Sequence, residues 1–173
     1  MFSFLHKERR VEVVNLAITI CSALGAAAMA YLLKVHFLAG DSSICNFSAA
    51  FSCDLVNQSV YSQLLGVPIS LLGLIFFLGL IILVQVRRLR TSFVAILMLT
   101  SFALTFSLTL SGIEVFVLHS VCVFCEAAKV LMIGIIGLAA YGSGLRGEKP
   151  KAVDLLLMAA GGIALGYAVY SSY

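Results

Sequence analysis

Four of the five cysteines fall into two pairs of unequal spacing, and no other residues here are as suited to chemistry. Cys45 and Cys53 enclose seven residues, while Cys122-Val123-Phe124-Cys125 is a CxxC at the start of a long apolar stretch. If that stretch is a helix, its i and i+3 thiols face each other across one turn, close enough to bond. The helix dipole and unpaired N–H groups there stabilise a thiolate and make it a usable nucleophile. The looser pair closes a small loop, easily formed and, if strained or exposed, easily reduced. Together they suit a two-stage dithiol relay. The loop pair takes electrons from a protein outside, then swings to pass them to the CxxC, which a lipid-soluble carrier can reach. Two other readings stay open on spacing alone: Cys45–Cys53 merely staples its loop, or the four cysteines bind zinc. Zinc is disfavoured because such sites pair two close knuckles, and a seven-residue spacing makes a poor one. Cys21, in the middle of an apolar run, is expected to be a buried packing residue.

The elements that position these thiols are readable from composition. The chain is 62% hydrophobic and 11% charged, with a mean hydropathy of +1.12, which excludes an ordinary soluble domain. Residues 13–33, 68–86, 91–113 and 155–173 carry no charge at all. Each approaches the roughly 20 residues a helix needs to cross a bilayer. Five spans are expected, over about 13–37, 68–86, 91–117, 123–145 and 154–172, with one long loop over 38–67. The whole chain is read as a single all-α membrane helical bundle, a four-helix core plus a fifth helix.

Charge supplies the orientation. Lys7, Arg9, Arg10, Arg87, Arg88, Arg90, Arg146, Lys149 and Lys151 fall on one side if the chain crosses five times; only Lys34 and Lys129 sit toward the other. The positive-inside rule then places the N-terminus in the cytoplasm and both cysteine pairs at the outer face, where disulfides persist. The net charge of +3 is thereby topological and implies no nucleic acid. The first span is too long for the apolar core of a cleavable signal peptide.

Finer expectations follow. The loop carries Phe47, Phe51, Leu55, Val56, Tyr61, Leu64 and Leu65, which predicts that part of it is a short amphipathic helix lying on the bilayer surface and capping the bundle. Gly162 and Gly166 form a GxxxG, and Gly25 with its neighbouring alanines a small-residue patch, both suited to close helix contact. The hydroxyls of the third span, Thr100 to Ser111, are expected to bond back to their own helix or to a neighbouring one. Glu126 and Lys129 either pair at the interface, or Lys129 stabilises the Cys125 thiolate or a reduced carrier. His119 is either a wet turn residue or a proton donor, and Glu114 is expected at the interface.

The run Cys45…Cys53-Asp54-Leu55-Val56-Asn57-Gln58-Ser59, then Gly66-Val67-Pro68, then Cys122-Val123-Phe124-Cys125, resembles the vitamin K epoxide reductase family. The resemblance covers most of the bundle. It implies a four-helix core around a quinone, ubiquinone or menaquinone, with Cys45 meeting a protein partner and Cys53 exchanging with Cys122. Cys125 would face the quinone, and Ser59 would orient the loop or hydrogen-bond the quinone. Within the family the chain resembles bacterial or archaeal disulfide-forming members of the inner (cytoplasmic) membrane. Because it ends at Tyr173 without a thioredoxin-like domain, the implied partner is a separate DsbA-type extracytoplasmic protein. The expected function is that of a membrane thiol:quinone oxidoreductase. Its rivals are a cysteine-based metal transporter or sensor and a disulfide-stapled structural subunit.

Overall fold

The computed structural model describes residues 2–38, 52–85 and 93–171, with side chains from His6 onward. Cys45 and the basic residues Arg87, Arg88 and Arg90 lie outside the described residues. Long uncharged runs must satisfy every backbone N–H and C=O internally in lipid, and helices do so. Among the described residues five long helices result: α1 (Phe2–Phe37), α3 (Ile69–Gln85), α4 (Phe93–Phe116), α5 (Val123–Arg146) and α6 (Ala152–Ser171). Four of them are long and apolar enough to cross a membrane, and α3 is a shorter apolar helix of 17 residues. The chain is a multi-pass, all-α membrane bundle.

α1 starts well before the expected position 13. At about 1.5 Å per residue its 36 residues far exceed a bilayer of roughly 30 Å. Its first turns, rich in Lys7, Glu8, Arg9, Arg10 and Glu12, therefore extend the helix beyond the apolar stretch.

Packing is ordered around α1 and α4. α1 lies against both α3 and α5, while α4 lies against α5 and α6. α6 approaches α4 through Gly162 and Gly166, where an added Cβ would collide with Thr105 and Thr109. That is the close contact expected of the GxxxG. Gly25 of α1 similarly makes room for the Phe77 ring of α3. Along α4, Thr100, Thr105 and Thr109 donate back to carbonyls one turn earlier, so their hydroxyls are satisfied within the helix.

The basic ends are tied together. Arg10 of α1 donates to the Tyr141 hydroxyl of α5 at 3.4 Å, and the Arg146 guanidinium sits 4.7 Å from the centroid of the Phe93 ring of α4. The cysteines of the CxxC lie at the opposite end of α5.

Of the expected short helix of the loop, the described residues from Ser52 onward show one, while Phe47 and Phe51 lie outside the described residues. That segment folds as the one-and-a-half-turn helix α2 (Cys53–Asn57), a 3-10 turn at Val60–Ser62 and a hairpin of two-residue strands, β1 (Gln63–Leu64) with β2 (Val67–Pro68). The hairpin turn needs positive φ at Leu65 (53°) and Gly66 (79°), which glycine takes without strain. α2 caps the bundle with one face, Cys53, Val56 and Asn57 pointing into the protein while Leu55 is exposed.

Candidate active site

Ser52 starts α2. Its hydroxyl accepts from the Leu55 N–H at 3.2 Å, as an N-cap should, and so fixes Cys53 at the first helical position. The far end of α2 is moored to α1. The Asn57 side-chain amide donates to the Leu32 carbonyl, and His36 Nδ1 lies 2.6 Å from the Asn57 carbonyl. The following segment is moored elsewhere, with the Tyr61 ring stacked on Tyr170 of α6 (centroids 6.5 Å apart, planes at 17°).

The CxxC is held as firmly. Cys122 is itself the N-cap of α5, its sulfur accepting from the Cys125 N–H at 3.4 Å. Phe124, between the two cysteines, packs its ring 4.9 Å from that of Tyr31 on α1. The preceding turn is closed by His119 in the left-handed region (φ 50°) and by the Ser120 N–H donating to the Glu114 carbonyl at 3.1 Å.

These two mooring patterns bring Cys53 and the CxxC together. Cys53 and Cys122 are both 0% exposed, and their sulfurs are 3.5 Å apart. Cys53 is disulfide-bonded, whereas Cys21, Cys122 and Cys125 are free thiols. A free thiol thus rests against a sulfur already in a disulfide, the geometry from which exchange begins. The hydrogen bond from the Cys125 thiol holds the Cys122 thiol below its ordinary value, against the opposing effect of burial. The Cys125 and Phe124 N–H groups add to that lowering, and the Glu114 carboxylate opposes it.

Cys125 faces elsewhere. It forms part of the wall of a cavity of about 380 Å³ bounded by α1, α3, α4, α5 and the segment after α2. Leu72 and Phe76 of α3 and Leu99, Phe102 and Phe106 of α4 make that wall chiefly apolar, and Leu165 of α6 reaches it too. Such a volume lies within the roughly 300–1,000 Å³ of small-molecule pockets. Two serines in the wall differ in what they can offer. Ser59, expected to orient the loop or meet the ligand, donates its hydroxyl to the Val56 carbonyl at 2.7 Å and so steadies the end of α2. Ser70, which the sequence did not single out, is buried in the wall with its hydroxyl unpartnered.

Charged groups complete the surroundings. Lys129, only 3% exposed, pairs with Glu126 and donates to Ser111 of α4, while Ser111 donates to Glu126 at 3.2 Å. The expected Glu126–Lys129 pair therefore forms, but with its ammonium buried rather than at an interface. Glu114 corrects a second expectation. It is 6% exposed, lines the cavity, and accepts from the Cys122 N–H at 3.2 Å. His119 is exposed on its turn. Cys21 is partly exposed at the margin of the core rather than buried, because it lies on a flank of α1 that no other helix fully covers.

The sequence pointed to an interfacial Glu114 and did not single out Ser70. A carboxylate near a span end and a serine near a helix start both look like boundary residues until a neighbouring helix encloses them. The cysteines, by contrast, are where a sequence match also falls. The model of the Vitamin K epoxide reductase family matches residues 16–140, from within α1 to within α5, and so takes in both cysteine pairs, the loop and the cavity's main walls. With that match over most of its length, the chain belongs to the vitamin K epoxide reductase family of membrane oxidoreductases.

Proposed function

We propose that this protein is a membrane thiol:quinone oxidoreductase that reoxidises a thioredoxin-like, DsbA-type protein on the outer side of a prokaryotic inner membrane. One observation carries the reading: the 3.5 Å approach of disulfide-bonded Cys53 to free Cys122, whose CxxC partner Cys125 lines an apolar cavity. In this reading the partner's dithiol reduces a Cys45–Cys53 disulfide by attack on Cys45. Freed Cys53 attacks an oxidised Cys122–Cys125 bond at Cys122, and Cys125 leaves as a thiol. Cys53 is then recovered by Cys45, which leaves the CxxC reduced beside an oxidised loop.

A loop disulfide beside a CxxC dithiol is the arrangement just after that internal transfer. A quinone bound in the cavity supplies the sink for two electrons and two protons. The residues present suit one: the aromatic walls from α3 and α4 fit a ring and an isoprenoid tail, and the unpartnered Ser70 hydroxyl offers a donor to a carbonyl oxygen. Cys125 is the thiol with access to that cavity. Ser59 acts at one remove, by holding the end of α2.

The basic residues of the α1 start and the α5–α6 connection support a cytoplasmic N-terminus, with the cysteines at the outer face. The test is reconstitution. Purified protein in nanodiscs, given a reduced DsbA-type protein and a short-tailed ubiquinone, should form one partner disulfide for each quinol. Cys125→Ala should abolish quinol formation and Cys21→Ala should leave it unchanged. Partner oxidation without quinol, or full turnover in Cys125→Ala, would overturn the assignment.

A further inference from the structure

We infer that Glu114 is the proton carrier of this site: it takes up the proton leaving the Cys122 thiol and presents it to the cavity at its carboxyl oxygen. The inference rests on the thiol:quinone reading above and adds a route that the reading leaves open. Oxidising the Cys122–Cys125 dithiol breaks two S–H bonds, forms one S–S bond, and releases two electrons and two protons. Reducing a quinone to a quinol takes up the same electrons and protons, so no further acid or oxidant is needed. What is needed is a path for each proton.

The two thiols differ in that respect. Cys125 is part of the cavity wall and can release its proton there. Cys122 is 0% exposed, and its sulfur faces Cys53 instead. Its sulfur is not part of the cavity wall, and the Cys125 thiol beside it has a proton of its own to release. Glu114 bridges the gap: its Oε2 accepts from the Cys122 N–H at 3.2 Å, and its side chain is part of the cavity wall.

The other charged groups around it are suited to support rather than to carriage. Lys129 and Glu126, on the α5 face packed against α4, are tied to each other and to Ser111. Lys129 and Glu126 are near enough to act on Glu114 through their charges, in opposite senses. Cys53 is in a disulfide and has no proton to give, and His119 is exposed on the turn. Ionisable groups held inside a membrane protein are costly and typically mark ion or proton paths.

Glu114→Gln keeps the size of the side chain and an acceptor for the Cys122 N–H but cannot carry a proton. In quinone-free protein, diamide oxidation of the dithiol followed by difference infrared spectroscopy should show a carboxyl band that changes in wild type and is missing in Glu114→Gln. With a short-tailed ubiquinone, kcat should fall about 100-fold, the lower range for a lost acid–base group, while KM stays close to wild type. Glu114→Asp should recover part of the rate, and it serves as the second variant if Glu114→Gln misfolds. An unchanged kcat in Glu114→Gln, or no carboxyl band in wild type, overturns the carrier. Wild-type protein that makes no quinol at all overturns the thiol:quinone reading itself, so the two failures are distinguishable.

Discussion

The Cys53 and Cys122 sulfurs are 3.5 Å apart, one in a disulfide and the other a free thiol, and neither touches solvent. A new S–S bond is about 2.05 Å long, so the two need close by only about 1.5 Å to exchange. Both ends of that pair are fixed by backbone caps, Ser52 for α2 and Cys122 itself for α5.

The intermediate that this pair would form can be trapped. Cys125→Ser removes the thiol that would resolve a Cys53–Cys122 bond, so that bond should accumulate to most of the protein. Peptide mapping without reductant should find the linked Cys53 and Cys122 peptides. Adding Cys53→Ala should abolish the link. Absence of the linked peptide in Cys125→Ser would mean that the loop bridge is structural.

Exchange should also be shifted in pH. The Cys122 thiol is lowered from its ordinary value chiefly by the Cys125 thiol, so its thiolate persists to lower pH than that of a free cysteine near 8.5. The rate at which Cys122 attacks the loop disulfide should rise with pH and level off below that ordinary range. Cys125→Ala removes the main cause and should move the plateau to higher pH. Stopped-flow quenching with acid at a series of pH values measures both; superimposable profiles would contradict the role given to the Cys125 thiol.

The two wall serines should respond differently. Ser70→Ala removes a buried hydroxyl without a partner, so stability should hold or rise slightly. Its quinone KM should increase about 5- to 10-fold, the loss of one hydrogen bond worth about 1 kcal/mol. Ser59→Ala loses the bond to the Val56 carbonyl, which should lower the thermal midpoint and slow Cys53–Cys122 exchange. Equal KM values in Ser70→Ala and wild type would remove Ser70 from the ligand's contacts.

Gly166→Leu tests the attachment of α6. The added side chain would overlap Thr109, and overpacking of this kind costs about 1–3 kcal/mol. The thermal midpoint should drop. Quinone KM should rise because Leu165 is part of the cavity wall, while the Cys53–Cys122 trap forms as before. A variant as stable as wild type would show that α6 packs on α4 differently.

What was legible in the sequence follows from the kind of signal each feature leaves. Uncharged runs of bilayer length can only be helices, so the bundle could be read directly. The paired cysteines could be read because their chemistry depends on spacing along the chain, and Gly162 with Gly166 because close approach needs missing side chains at that interval. Glu114 could not: the same carboxylate is interfacial if its neighbour is lipid and buried if α5 closes over it. The loop was legible only in part, for a related reason. Its apolar residues imply burial of one face but not which residues form it, and α2 turns Cys53 and Val56 into the protein while leaving Leu55 exposed.

The anchorage of α2 carries one more consequence. With Asn57 fastened to Leu32, His36 set against the Asn57 carbonyl, and Tyr61 stacked on Tyr170, the stretch that follows Cys53 is clamped to α1 and to α6. A clamped sulfur has no journey to make. The inner exchange should therefore be nearly indifferent to solvent viscosity, and any drag that added glycerol imposes on turnover must arise where the protein meets its partner or where the cavity fills and empties.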